Sequence, residues 1–128
     1  MDLIFRERNL DYFSEPYDPD VIRRALQLVE TAAYDLMVVY QQEYDDTLHR
    51  GTPLSPDAVR VAKGHIDAFA ALSRAVREFW NQYRTILIFA PDHGAHVDPV
   101  SGLGDHGEDI PEDMHLFHCY GLIPSGPC

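Results

Sequence analysis

Two short motifs in the second half of the chain carry residue types that bind metal ions. Asp92 and His93 directly follow an apolar run and precede Gly94, and His106 lies further on within Gly104-Asp-His-Gly107. Carboxylates and neutral imidazoles are the ligands of zinc, manganese and iron. Taken singly, each motif is also compatible with a structural turn in which the glycine adopts a positive φ. Together the motifs predict a metal site.

A segment in the first half of the chain adds two more candidate ligands. Asp45 and His49 lie four residues apart, and Asp46 competes with Asp45 because spacing alone does not choose between them. A two-metal site requires several carboxylate and imidazole ligands from separate loops, and it suits phosphoryl chemistry. His115 and His118 are candidates for orienting such ligands from behind. The predicted metal ligands are Asp45, His49, Asp92, His93 and His106.

Four regular elements are predicted to position these residues. A proline in the first turn starts one helix at Asp18-Pro-Asp20 and a longer one at Ser55-Pro-Asp57. Leu36–Tyr40 and Ile86–Ala90 are short apolar runs typical of strands buried on both faces. Residues 41–54 are polar and are predicted to form a loop between the first strand and the long helix.

The order strand, long helix, strand predicts the fold class. Such units normally join parallel strands by a right-handed crossover. We therefore expect an α/β fold, a small, mainly parallel sheet with flanking helices, in a single domain over 1–128 that is partial. In this arrangement the loops at 41–54 and 91–118 leave the same edge of the sheet, so their polar residues converge. Residues 91–128 are predicted to be a long metal-ligand loop and a C-terminal segment.

Composition limits the partners and the compartment. The chain has 128 residues and a net charge of −11, from 21 Asp plus Glu against 10 Lys plus Arg. This balance argues against nucleic acid as the main partner, because phosphate backbones attract basic surfaces. The apolar runs are too short to span a bilayer and the N-terminus lacks a signal-peptide pattern. With two cysteines that imply no disulfide framework, the expected location is the cytoplasm.

The motifs and their order resemble the alkaline phosphatase superfamily, particularly its branch of nucleotide pyrophosphatase/phosphodiesterases, phosphoglycerate mutases and phosphopentomutases. The resemblance covers about residues 34 to 118. It rests on Tyr34-Asp-Leu-Met-Val-Val-Tyr40, Asp45-Asp-Thr-Leu-His49, Phe89-Ala-Pro-Asp-His-Gly94 and Gly104-Asp-His-Gly107. It implies the C-terminal half of that family's sandwich and two divalent ions, zinc or manganese. One ion would be held by Asp45, His49 and His106, and the other by Asp92 and His93.

The chain departs from the family at the nucleophile. Nothing before Tyr34 resembles the family's early strand with a metal-binding Asp and a Ser or Thr nucleophile. Catalytic residues are therefore unassigned. The leading hypothesis is the metal-binding portion of a phosphoester or sulfate ester hydrolase, or of a phosphomutase, with the nucleophile supplied by a missing N-terminal half or a partner chain. The alternatives are a non-catalytic metal-binding or interaction module, and a compact metal hydrolase that uses metal-bound water. No membrane partner is expected.

Overall fold

The structure is a computed structural model that describes residues 10–31 and 34–126. Its elements, in chain order, are four helices and four short strands. They are α1 (Asp18–Thr31), α2 (Glu43–Arg50), α3 (Pro56–Phe79), β1 (Thr85–Phe89), β2 (His96–Val97), β3 (Gly104–Asp105), α4 (Pro111–Met114) and β4 (Cys119–Ile123). The helix starts expected at Asp18 and Ser55 and the strand expected at Ile86 are confirmed. None of the helices in this described part is long and apolar enough to cross a membrane.

The core lies between α1, α3 and the strand pair β1–β4. Val29 of α1, Val76 of α3 and Ile123 of β4 are buried against Trp80 at the end of α3. The Trp80 indole Nε1 donates a hydrogen bond to the Val29 carbonyl at 2.9 Å, which ties the two helices together. Ser55 caps α3 by accepting a hydrogen bond from Ala58 N. The long helix is thereby held against α1.

The predicted mainly parallel sheet is wrong. The structure has two separate two-stranded sheets, and both are antiparallel: β1 pairs with β4, and β2 pairs with β3. Leu36–Tyr40, the expected parallel neighbour of β1, forms no ladder, and its backbone makes no hydrogen bond with another described residue. Its side chains alternate between exposed and partly buried instead of being buried on both faces. The strand predicted at Leu36–Tyr40 is therefore wrong: the segment lies in no sheet and is not covered on both faces.

The predicted loop at 41–54 is largely the helix α2. Glu43, Asp45 and Asp46 place negative charge in its first turn, which favours a helix N-terminus. A cap comes from another element: the buried Asp18 carboxylate accepts hydrogen bonds from Gln42 N at 2.9 Å and Glu43 N at 3.0 Å. Because this cap lies 24 residues away along the chain, local sequence signals did not reveal the helix.

Candidate metal centre

Three imidazole rings lie around one carboxylate oxygen of Asp45. Asp45 Oδ1 lies 3.0 Å from His106 Nε2, 3.4 Å from His49 Nε2 and 3.7 Å from His93 Nε2. The rings of His93 and His106 stack with centroids 3.6 Å apart. Asp45, His49 and His106 each offer a donor atom within 4.8 Å of the others. Polar residues of the 41–54 and 91–118 segments therefore do come together at Asp45, His93 and His106, although the parallel sheet that motivated this expectation is absent.

The donor set fits a divalent cation. Asp45 Oδ1 is buried and makes no hydrogen bond, and its 3.0 Å approach to His106 lacks hydrogen-bond geometry. An unpaired buried carboxylate oxygen is costly unless a cation or donor satisfies it. Ligands held at about 2.0–2.2 Å around a tetrahedral ion stand roughly 3.3–3.6 Å apart. The separations from Asp45 Oδ1 lie around that range, so the residues fit a metal of the zinc class.

Backbone carbonyls set the tautomers of two of these rings. Nδ1 of His49 lies 3.0 Å from the Gly104 carbonyl, and Nδ1 of His93 lies 2.8 Å from the Gly94 carbonyl. A carbonyl only accepts, so each Nδ1 carries the proton and donates it. In the neutral ring the lone pair then resides on Nε2, the atom that faces Asp45. Such contacts behind the ligand are typical of metal-binding histidines.

Close packing of α2 against β3 brings His106 close to Asp45 and His49. Gly104 N donates a hydrogen bond to the Gly51 carbonyl at 2.8 Å, just after the end of α2. A Cβ at Gly104 would lie 2.5 Å from the Leu48 carbonyl oxygen, so only glycine permits this approach. Leu48 itself is fully buried. This contact places His106, two residues after Gly104, over the Asp45 and His49 face of α2.

A second buried carboxylate, Asp113, holds the loop that carries His93 and His106. Its Oδ1 and Oδ2 lie 2.9 and 3.1 Å from His96 Nδ1, and its Oδ2 accepts a hydrogen bond from Glu108 N at 2.9 Å. Its backbone carbonyl accepts from Gly94 N at 2.8 Å. The side chain is 1% exposed. Asp113 is thus tied to residues adjoining both His93 and His106.

Two carboxylate and histidine pairs therefore flank the centre without belonging to it. Asp113 pairs with His96 at the loop, and Asp18, which caps α2, lies 2.7 Å from His65 Nε2. Sequence reasoning missed both roles. Asp18 was interpreted as the start of its own helix, and no spacing signal marked Asp113. Each pair fixes one of the two chain segments that supply the imidazoles and carboxylate of the centre.

Asp92 stands at the open rim of the centre. Its Oδ1 is 3.8 Å from His93 Nε2, and its side chain is 63% exposed. Burial, together with the negative charges of Asp92 and Asp45, raises the pKa of Tyr40 and keeps its hydroxyl protonated. Asp92 and His93 are the described donors for the second of the two predicted ions, so this position has fewer protein ligands than the first.

The other predicted site residues lie around the centre. Asp46 is exposed, so geometry selects Asp45 over its neighbour. His118 Nε2 donates a hydrogen bond to the Pro91 carbonyl at 3.0 Å, next to Asp92, whereas His115 is exposed at the end of α4. Two hydroxyls are engaged locally: Thr47 Oγ1 donates to the Glu43 carbonyl at 2.6 Å, and Ser101 Oγ accepts from Leu103 N at 3.2 Å.

Comparisons of this chain with family models, with curated proteins and with solved structures give no match.

Proposed function

We propose that the chain binds a divalent transition-metal ion, zinc or manganese, through Asp45, His49 and His106. We further propose that this centre serves the cleavage of a phosphate or sulfate ester, or a related phosphomutase reaction. The observation that carries the metal site is the buried, unbonded Asp45 Oδ1 facing three imidazole Nε2 atoms. The assignment to esters is supported by the order of the motifs, which resembles that of the alkaline phosphatase superfamily.

Each residue of the centre would have its own role in such a site. A bound divalent ion supplies a Lewis acid that polarises an ester oxygen. Asp45 brings the negative charge that offsets the ion, and the carbonyls behind His49 and His93 keep their Nε2 lone pairs available. At the rim, the exposed Tyr40 phenol offers a polar group to an incoming ligand. The exposed side of Asp92 leaves this rim open to solvent.

A second candidate function is metal binding without turnover by this chain alone. The observation that favours it concerns hydroxyl groups that could attack a substrate. Thr47 and Ser101 make hydrogen bonds within their own helix or loop. Burial and the charges of Asp92 and Asp45 raise the pKa of the Tyr40 phenol, so little of the nucleophilic phenolate forms near neutral pH. A module of this kind would keep the ion and lack the attacking group.

The test compares two neighbouring substitutions of equal charge. Asp45→Asn removes the central ligand, and Asp46→Asn is the matched control because Asp46 is exposed beside it. Competition with a chromophoric chelator measures zinc affinity, and circular dichroism checks that both variants fold. We expect Asp45→Asn to weaken zinc binding by at least about 100-fold, since even residues behind a ligand cost 10–100-fold. Asp46→Asn should bind as the unaltered chain does.

Two outcomes decide between the candidates. Equal affinity in both variants would refute the metal centre. If zinc binds as expected, hydrolysis of an activated phosphate ester by the zinc-loaded chain, lost in Asp45→Asn, supports the hydrolase. Tight zinc binding without hydrolysis supports the metal-binding module.

A further inference from the structure

The N-terminal end of α2 is held by one buried carboxylate from outside the helix. Gln42, at the N-cap position, makes no capping hydrogen bond with its own side chain. The backbone N–H groups of Gln42 and Glu43 donate instead to the two oxygens of Asp18, at 2.9 and 3.0 Å. Among the described residues, these two amides have no other hydrogen-bond partner. Asp18 therefore determines where α2 begins along the chain.

His65 of α3 holds the Asp18 carboxylate in the orientation that this cap requires. Its Nε2 lies 2.7 Å from Asp18 Oδ2, and a carboxylate accepts hydrogen bonds, so His65 donates. The side chains of His65 and Asp18 are 15% and 8% exposed. A buried carboxylate is costly unless such donors satisfy it. Because Asp18 is the first residue of α1, its carboxylate joins α1, α2 and α3 at one point.

The start of α2 decides which of its residues face His106. Successive residues of an α-helix are turned by about 100°, so Asp45 and His49, four residues apart, lie on one face. If α2 began one residue later, Asp46 and Arg50 would occupy that face instead. An arginine side chain has no acceptor atom for a metal ion. The register of α2 therefore decides whether this face offers both an aspartate and a histidine.

The two ends of α2 are held by different contacts. At the C-terminal end Leu48 is fully buried, and the Gly51 carbonyl accepts a hydrogen bond from Gly104 N. A helix of eight residues is too short to be stable without such tertiary contacts. Asp45 lies in the first turn, two residues after the capped Glu43. Asp45 is therefore the metal ligand that depends most directly on the Asp18 cap.

We propose that Asp18, oriented by His65, is a positioning residue of the metal centre: it fixes the register of α2 and thereby selects Asp45 over Asp46 as the ligand. This inference rests on the proposed metal centre, and neither Asp18 nor His65 is among its ligands. Metal binding and the cap are then coupled, so each strengthens the other.

Two substitutions of His65 test this proposal without altering the start of α1. His65→Leu removes the donor, whereas His65→Gln keeps an N–H group that can reach the carboxylate. We expect His65→Leu to weaken zinc binding by about 10-fold, the change that corresponds to a helix cap worth about 1.4 kcal/mol. His65→Gln should bind zinc nearly as well as the unaltered chain. Competition with a chromophoric chelator measures the affinities.

A second pair of variants removes the cap itself. Asp18→Asn leaves the side chain with one acceptor oxygen and should weaken zinc binding at least as much as His65→Leu. Asp20→Asn is the matched control, because Asp20 lies in the same turn of α1 and pairs with Arg23 of its own helix. Asp20→Asn should leave zinc affinity unchanged.

The relative importance of Asp45 and Asp46 separates positioning from a loss of overall stability. In the unaltered chain we expect Asp45→Asn to weaken zinc binding and Asp46→Asn to have no effect. In a His65→Leu background the ratio of these two affinities should fall by about 3-fold or more, because α2 then samples both registers. A general loss of stability lowers both affinities by the same factor and leaves their ratio as it was.

Equal zinc affinity in the unaltered chain, His65→Leu and Asp18→Asn overturns the proposal, as does a ratio that His65→Leu leaves unchanged. Circular dichroism identifies a variant that fails to fold, and the other variant then decides. If the unaltered chain binds no zinc, the proposed function fails, and amide hydrogen exchange of the metal-free chain tests the cap separately. Faster exchange at Gln42 and Glu43 in His65→Leu supports the hold of Asp18 on α2, and unchanged exchange overturns it.

Discussion

At the scale of single residues, the choice between Asp45 and Asp46 shows what limited the sequence prediction. The two acids are indistinguishable if residues 41–54 form a loop. Within a helix, however, residues four apart share a face, so Asp45 aligns with His49 and Asp46 is turned away. The ligand could have been selected from the sequence had α2 been recognised. The helix α2 was missed because the carboxylate that caps it, Asp18, comes from a distant part of the chain.

The Asp113–His96 pair leads to a prediction about pH. The hydrogen bond to Asp113 raises the pKa of His96 above its ordinary 6.5. Burial alone would raise the pKa of Asp113, but hydrogen bonds from His96 and from the backbone of Glu108 outweigh it and lower the pKa below 3.8. The charged His96 stabilises the fold fully at pH values below the pKa that His96 has in the unfolded chain. This stabilisation is lost as the pH rises through the higher pKa that His96 has in the folded chain. The charged Asp113 stabilises the fold at pH values above the pKa that Asp113 has in the unfolded chain. This stabilisation is lost as the pH falls through the lower pKa that Asp113 has in the folded chain.

We therefore expect His96→Gln to lower the melting temperature most between about pH 4 and 6.5, where both groups of the pair are charged. The difference from the unaltered chain should shrink as pH rises above that window. Thermal unfolding in the presence of a chelator measures it, and the exposed His115 gives the control variant His115→Gln. A difference that stays constant from pH 5 to 9 would contradict the role of the charged pair.

At the scale of elements, the centre depends on how closely α2 approaches β3. The sequence order predicted that the segments 41–54 and 91–118 would meet at the edge of a parallel sheet. They meet instead because Gly104 lets β3 lie directly against Leu48 and bond to Gly51. In the sequence, the motif Gly104-Asp-His-Gly107 could be interpreted as a turn. Periodicity and spacing do not show that Gly104 allows β3 to lie against α2.

This contact gives a prediction with a built-in comparison. Gly104→Ala places a Cβ 2.5 Å from the Leu48 carbonyl oxygen, so β3 must move away from α2 and carry His106 with it. We expect a loss of about 1–3 kcal/mol in the free energy of unfolding and zinc binding weakened by about 10-fold or more. Urea unfolding and chelator competition measure the two effects.

Gly64→Ala is the control for that experiment. Gly64 lies inside α3 and a Cβ there meets nothing within 4 Å. Alanine should stabilise the helix by about 0.5–1 kcal/mol and leave zinc affinity unchanged. If both alanine variants bind zinc equally well, close packing at Gly104 does not position the centre.

At the scale of the whole molecule, elements with strong local signals were predictable and their pairing was not. Ser55-Pro-Asp57 starts α3 and the apolar run at Ile86 becomes β1, as predicted. The direction of the strands was wrong because β1 takes its partner from β4 at the C-terminal end of the chain, and no local pattern records that choice. The strand predicted at Leu36–Tyr40 fails for the same reason: the segment has the composition of a covered strand and, among the described residues, lacks a strand to pair with.

The central claim is that Asp45, His49 and His106 hold one metal ion. X-ray absorption of the zinc-loaded chain tests it most directly, because imidazole ligands give a recognisable scattering pattern. We predict about four nitrogen and oxygen ligands at roughly 2.0–2.2 Å, two of them imidazoles, and the loss of one imidazole in His106→Ala. A zinc environment without imidazoles, or one that His106→Ala leaves unchanged, would contradict this account.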